Sequence, residues 1–304
     1  MRISITYLYT ILKYGYPHSV DDALRGLPEM RRLGFRFIEM EGLGKQNLAE
    51  FYQRRREIRQ ALDDCGLHVH NFCVVDPDMV STNLEMRRQA LDRFRMGAEI
   101  VELLGAETLH LASYAPPVEY LEGRPYGLST NGYKFENVTR LRIPQGLEWS
   151  EVWTALVEST QICADIAAGY NRTVLMEPRV GEVICSVDSL LRLIEHVDRP
   201  NLKANFDTAH FSAQRENAVL ALAKLKGHFA NVHIADNDPS NSDHVAIGEG
   251  CIDWKEFLST LHSMNYDGYL GLDLGASNKL LDGYQRSVER LQAIASDLNI
   301  HLEV

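Results

Sequence analysis

No stretch of this 304-residue chain approaches the roughly eighteen consecutive apolar residues of a membrane-spanning helix, so no membrane association is expected. Basic residues are in short supply: 31 Lys and Arg stand against 42 Asp and Glu, a formal net charge of −11. Affinity for nucleic acid comes largely from Lys and Arg neutralising phosphates, so this balance argues against DNA or RNA and against an anionic membrane surface. Cysteine is sparse and unpatterned. Cys65, Cys73, Cys163, Cys185 and Cys251 form no C-x-x-C pair and their number is odd. They read as small buried hydrophobes in a reducing compartment. The opening MRISITYLYTILKYGYP breaks its apolar residues with Tyr, Thr and Lys and offers no small-residue cleavage site, which makes the cytoplasm the expected location. Also missing are a Pro/Ser/Gly-rich connector, a low-complexity tract and a charge block, so one domain over 1–304 is expected. Gly248 and Gly250 are too isolated to cradle a phosphate, and neither a P-loop nor a dinucleotide fingerprint is present.

What is present is a rhythm of short apolar runs and helical patterns. RISITYL (2–8), FRFIEM (35–40), LHVHNFCVV (67–75) and ETLHLAS (107–113) read as the first four strands. Ser19 followed by Asp22 is a capping-box variant; Ala23, Leu24, Leu27, Met30 and Leu33 then share one helix face, and Gly34 stops it. Helices over 48–65 and 83–104 end at Gly66 and Gly105. The rhythm breaks at a Pro-, Gly- and Tyr-rich insertion, 113–147, expected to be a lid or a subunit contact because loops of this length are usually functional. It resumes with a helix over 148–169, a strand at 173–177, a helix capped by Ser186, LKANF (202–206), a helix over 217–226, ANVHI (230–234), a helix capped by Asp253, YLGLDL (269–274) and a closing helix over 284–298. Eight strands each followed by a helix predict the α/β class: a (β/α)8 TIM barrel with a long insertion after strand 4.

In such a barrel the C-terminal strand ends all face one way. Strands five to eight end on Glu177, Asp207, His233 and Asp273, which therefore converge. Three carboxylates and an imidazole make an oxygen-rich site for one divalent ion, Mn²⁺ first, with Mg²⁺ or Co²⁺ as alternatives and Zn²⁺ tolerated. Such a site supports proton abstraction next to a carbonyl: the cation stabilises an enediolate while a carboxylate removes the α-proton. Glu177 is the first choice for base and ligand together. Position adds His70 and His110, read as the ends of strands three and four, and Arg179 as a further substrate contact; Asp236 and His244 flank the loop after strand seven. Glu249 is expected to shape its turn.

The segments M-E-P-R, D-T-A-H, H-I-A-D and G-E-G-C-I-D-W resemble the xylose-isomerase-like barrel superfamily of sugar phosphate isomerase/epimerase type. The resemblance covers the second half of the chain strongly and the first half in barrel rhythm alone. It implies a Glu, Asp, His, Glu metal quartet, carried onto Glu177, Asp207 and His233. The fourth ligand falls on Asp273, where this chain departs from the usual glutamate. In the family's ketose epimerases the two glutamates are also the acid/base pair, and an Asp, one methylene shorter, reaches a substrate carbon less well. His210, three residues after Asp207, is similar to the family's D-x-x-H histidine and joins Glu177 and Asp273 as a catalytic candidate. The resemblance also implies substrate contacts at Asp236 and His244. The implied activity is a sugar isomerase or epimerase. The alternative is a lyase with the same first step, as in inosose dehydratases and the α-subunits of C-glycoside deglycosidases. The expected partners are a small-molecule sugar or glycoside and further copies of the chain, or a small second subunit. Abasic-site nucleases share the barrel but need more His/Glu ligands and a basic face, which the charge of −11 opposes.

Overall fold

Each of the eight expected strands forms, and hydrogen bonding runs round them without an edge. The computed structural model describes residues 1–123, 140–275 and 280–304. The strands are β1 (Arg2–Ile5), β2 (Phe37–Leu43), β3 (His68–Val75), β4 (Thr108–Ala112), β5 (Thr173–Glu177), β6 (Leu202–Asp207), β7 (Phe229–Ile234) and β8 (Tyr269–Leu272). All neighbours are parallel, and β8 closes on β1 from Arg2 opposite Tyr269 to Ile5 opposite Leu272. Parallel pairing needs a crossover between successive strands, and the helices between them supply it.

Alternation along each strand sorts the side chains. On β2, Ile38 and Met40 turn outward to the helices, while Glu39 and Glu41 turn into the barrel. Ser19 and Asp22 form the expected capping box on the helix Val20–Arg32. Gly66 ends Gly44–Cys65 with φ +61°, a left-handed position that most side chains resist. On the helix Leu84–Leu104, a Cβ at Gly97 would lie 2.5 Å from Val74 Cγ2, so only glycine lets this helix approach β3 so closely.

Three segments depart from the sequence pattern. The apolar run 2–8 is a strand only to Ile5; Thr6 Oγ1 accepts from the Leu8 amide, and Leu8–Tyr14 is helical. A short helix, Thr208–Ala213, follows β6 directly, ahead of the expected one at Ala218–Lys224. The described ends of the insertion pair as an antiparallel ladder, Glu119–Tyr120 with Leu141–Arg142. Its remainder, 124–139, lies outside the described residues, and the lid or subunit-contact expectation lies largely there. All five cysteines are free. Among the described residues no helix is long and apolar enough to cross a membrane.

Candidate active site

The inside of the barrel is polar where a core would be apolar. Ser4, Glu39, His70, Asn71, His110, Asn205, Asn231 and His233 are all buried. An unpaired buried polar group costs about 1–3 kcal/mol, and most of these groups pair with one another, leaving Asn231 Oδ1, His110 Nε2 and His233 Nδ1 without a partner. Glu39 sits at the centre. Its Oε1 accepts from Asn231 Nδ2 (2.9 Å), and its Oε2 from Asn71 Nδ2 (3.1 Å) and His233 Nε2 (2.9 Å). Asn231 also donates to Asn205 Oδ1 (2.9 Å), and Asn205 donates to Glu177 Oε1 (2.7 Å). A hydrogen-bonded ladder thus joins β2 to β5 across the barrel. Burial alone would raise the Glu39 carboxyl; His233, His70 and His110 outweigh it and hold the group at about 2. Gly271 makes the space, since a Cβ there would lie 3.2 Å from both Glu39 Oε1 and His233 Cδ2.

Above this floor, three of the four expected ligands meet. Donor atoms of Glu177, Asp207 and His233 lie within 4.8 Å of one another, all buried. With Nε2–H of His233 given to Glu39, Nδ1 faces Glu177 Oε1 at 2.8 Å and Asp207 Oδ2 at 3.8 Å. Neither contact is aligned as a hydrogen bond: His233 Nδ1 and Asp207 Oδ2 are both buried without such a partner. Two carboxylates and an imidazole nitrogen converging on one point need a proton or a cation between them. The titration pattern follows. His233 rises well above its ordinary value because Glu39 and Glu177 overcome burial. Burial and the Glu177 and Asp273 charges push Asp207 up to about 6. Orphaned ligand atoms, oxygen-rich donors and a histidine oriented by a carboxylate fit a divalent ion.

Asp273 stands beside this group rather than in it. Thr6 Oγ1 donates to its Oδ1 (2.6 Å), and His244 Nδ1 lies 3.2 Å from its Oδ2 and 3.0 Å from its backbone oxygen. His244 has a left-handed backbone (φ 52°), and the Asp236–Val245 bridge and the Gly275 amide clamp it there. Burial would lower its imidazole, but Asp207 and Asp273 lift it to about 9. Asp207, His210 and His244 form a second cluster of donor atoms within 4.8 Å, with the His210 and His244 rings 4.7 Å apart.

The other expected residues divide. His110 is the third of the five residues of β4 rather than its end, yet its Nε2 lies 3.5 Å from Glu177 Oε2, and Arg179 Nε lies 3.3 Å from the same oxygen. His70 does not lie at a strand end. It is the third residue of β3, low in the barrel, bonded to Ser4 Oγ (2.9 Å) and stacked on Tyr269 at 3.8 Å. Asp236 is spent on its own loop: its carboxylate accepts from the amides of Asn237, Gly248 and Ile252 and from Trp254 Nε1. Glu249 pairs with Arg286 at the surface. The sequence reading missed Glu39, Thr6 and Asn205. Their signal was polar residues interrupting apolar strand runs, as in F-I-E-M and K-A-N-F.

The sequence profile of the xylose isomerase-like TIM barrel family matches residues 27–294, and the chain belongs to that family. A D-tagatose 3-epimerase-like protein superposes with TM-score 0.74 at 19% identity, covering 98% of both chains. The 3-keto-D-glucoside 4-epimerase YcjR of E. coli gives 0.72 at 17%, covering 96% of this chain and 99% of the other. The 2-oxo-tetronate isomerase of Haemophilus influenzae is 25% identical over 146 residues, 46% of this chain and 55% of that protein. The chain spans about half or less of the length of the curated relatives it matches.

Proposed function

We propose that this member of the xylose isomerase-like barrel family is a metal-dependent isomerase or epimerase that moves a proton next to the carbonyl of a sugar or keto-sugar. The observation that carries this reading is the convergence of Glu177, Asp207 and His233, with His233 Nδ1 and Asp207 Oδ2 buried and partnerless at the meeting point. These three residues would hold the ion, which when bound supplies Lewis acidity for the substrate's carbonyl oxygen. The chain's own groups handle the proton. Burial would raise Glu177, but His110 and His233 hold it well below its ordinary value, so it stands ready as a base. His244 keeps its proton to about pH 9 beside the Asp273 carboxylate, which forms the second transfer pair. Arg179, next to Glu177, and His210, next to Asp207, are placed to orient substrate oxygens. The names of the similar proteins, a tagatose epimerase-like protein, a keto-glucoside epimerase and an oxo-tetronate isomerase, share a carbonyl beside hydroxylated carbons and support the substrate class.

The test is incubation with Mn²⁺ in D₂O with a panel of keto-sugars and 3-oxo-glycosides. Deuterium should enter the carbon next to the carbonyl with the skeleton retained. Loss of a substituent would replace this reading with the lyase alternative, and no exchange on any substrate would end it.

A further inference from the structure

One residue just past β1 is bonded into the site, and the mechanism above gives it no role. Thr6 follows Ile5, the last residue of β1, and is buried. Its amide donates to the Leu272 carbonyl at the end of β8 (3.3 Å), so the seam that closes the barrel sets it beside Asp273. Its hydroxyl has a single proton, and the Leu8 amide fixes where that proton goes. Oγ1 accepts from this amide (3.3 Å) and donates to Asp273 Oδ1 (2.6 Å). A β-branched side chain is stiff about χ1, and Thr6 Cγ2 packs towards Gly271, where a Cβ would lie 3.1 Å away.

Asp273 is held at three points. Its amide donates to the Ile234 carbonyl at the end of β7 (3.1 Å), Thr6 takes Oδ1, and His244 Nδ1 lies 3.2 Å from Oδ2. His244 is fixed in turn, since its carbonyl accepts from the Gly275 amide (2.7 Å). Donors that bind one divalent ion at about 2.0–2.6 Å lie within roughly 5 Å of one another. Glu177, Asp207 and His233 meet this condition, and Asp273 does not join them. Its side chain is also one methylene shorter than the glutamate that the family resemblance implies at this strand end. Swinging it to the ion means giving up the Thr6 hydrogen bond.

We propose that Thr6 is a positioning residue: with His244 it keeps Asp273 out of the ion's grip, so that Glu177, Asp207 and His233 alone hold the ion and Asp273 is kept for the proton. Asp in place of Glu and a hydroxyl at position 6 are then two halves of one device, joined by the closure of β8 on β1. The inference rests on the proposed function for the ion and the proton, and adds the division of labour between the four residues.

Calorimetric titration of Mn²⁺ into the metal-free protein reads the assignment without turnover. Asp207→Asn and Asp273→Asn each remove one buried negative charge, so the difference between them isolates the bond to the ion. Asp207→Asn should weaken Mn²⁺ binding at least about tenfold more than Asp273→Asn does. Thr6→Val keeps the shape and removes the hydroxyl. It should leave the affinity within about threefold of wild type, or tighten it as the freed carboxylate turns to the ion. Were Thr6 bracing a ligand, its loss would cost about 10–100-fold. In D₂O, Thr6→Val should raise the deuterium washed into recovered substrate per product formed, because Glu177 still exchanges while Asp273 is loosened. Thr6→Ser, which restores the hydroxyl, should return that ratio to wild type. A smaller gap between the two carboxylate variants, a larger loss of affinity in Thr6→Val, or an unchanged wash-in ratio would overturn the inference. Both affinity results without deuterium exchange in wild type would uphold the three-residue grip while removing the isomerase reading.

Discussion

Replacing Glu39 with Gln changes no volume and removes one buried charge, yet it should cost both stability and metal affinity. Both carboxylate oxygens face donors: Asn231 Nδ2 at 2.9 Å on Oε1, His233 Nε2 at 2.9 Å and Asn71 Nδ2 at 3.1 Å on Oε2. A Gln amide has one oxygen. Turned towards His233, it leaves its NH₂ against Asn231; turned the other way, it leaves His233 Nε2 without an acceptor and frees the tautomer. One buried clash of donors costs about 1–3 kcal/mol, read as the shift in a urea unfolding curve recorded in EDTA. Loss of the group that orients a ligating histidine typically costs 10–100-fold in metal affinity, about 1.4–2.7 kcal/mol. Calorimetric titration of Mn²⁺ into the metal-free protein reads this directly. An affinity within about threefold of wild type would show that Glu39 does not set the histidine, and the ladder would then be structural filling alone.

Three further outcomes are expected. Glu177→Gln should abolish deuterium exchange with the circular dichroism spectrum unchanged; undiminished exchange removes Glu177 from the mechanism. Gly271→Ala places a Cβ 3.1–3.2 Å from Thr6, Glu39 and His233, so it should lower stability by about 1–3 kcal/mol and weaken Mn²⁺ binding, checked by urea midpoint and titration. The hydrogen bonds of His68 and Tyr269 to Glu107 outweigh burial and hold its carboxyl at about 2, below an ordinary 4.5. A folded-state value below the unfolded one means stability present above pH 4.5 and lost as pH falls towards 2, so Glu107→Gln should flatten that acid limb, and an unchanged limb refutes the assignment.

The barrel was legible because its signals are local: apolar runs of strand length, glycine after each early helix, capping residues before the next. The convergence of Glu177, Asp207 and His233 was legible for the same reason, since Glu177 and Asp207 close their strands and His233 lies one residue from the end of β7. Depth was not. Alternation says that His70 points inward, but its height depends on where β3 starts, and the strand runs five residues past it. Glu39 was invisible as a functional group because its partner, His233, is 194 residues away, and only closure brings β2 opposite β7. Asp236 follows the site histidine closely and invited a substrate role; the backbone amides of its own loop had a prior claim on both oxygens. At Leu8–Tyr14 the text was ambiguous, since an apolar run broken by tyrosines suits either a strand or a helix.

The ladder from Glu39 to Glu177 spans the ring between segments from opposite halves of the chain. A fragment beginning after the insertion would carry Glu177, Asp207 and His233 and still lack the group that aims the imidazole. Under the proposed function, ring closure and ion capture would be linked equilibria: an ion preferring the aimed histidine would favour the closed ring, and opening of the ring would loosen the grip.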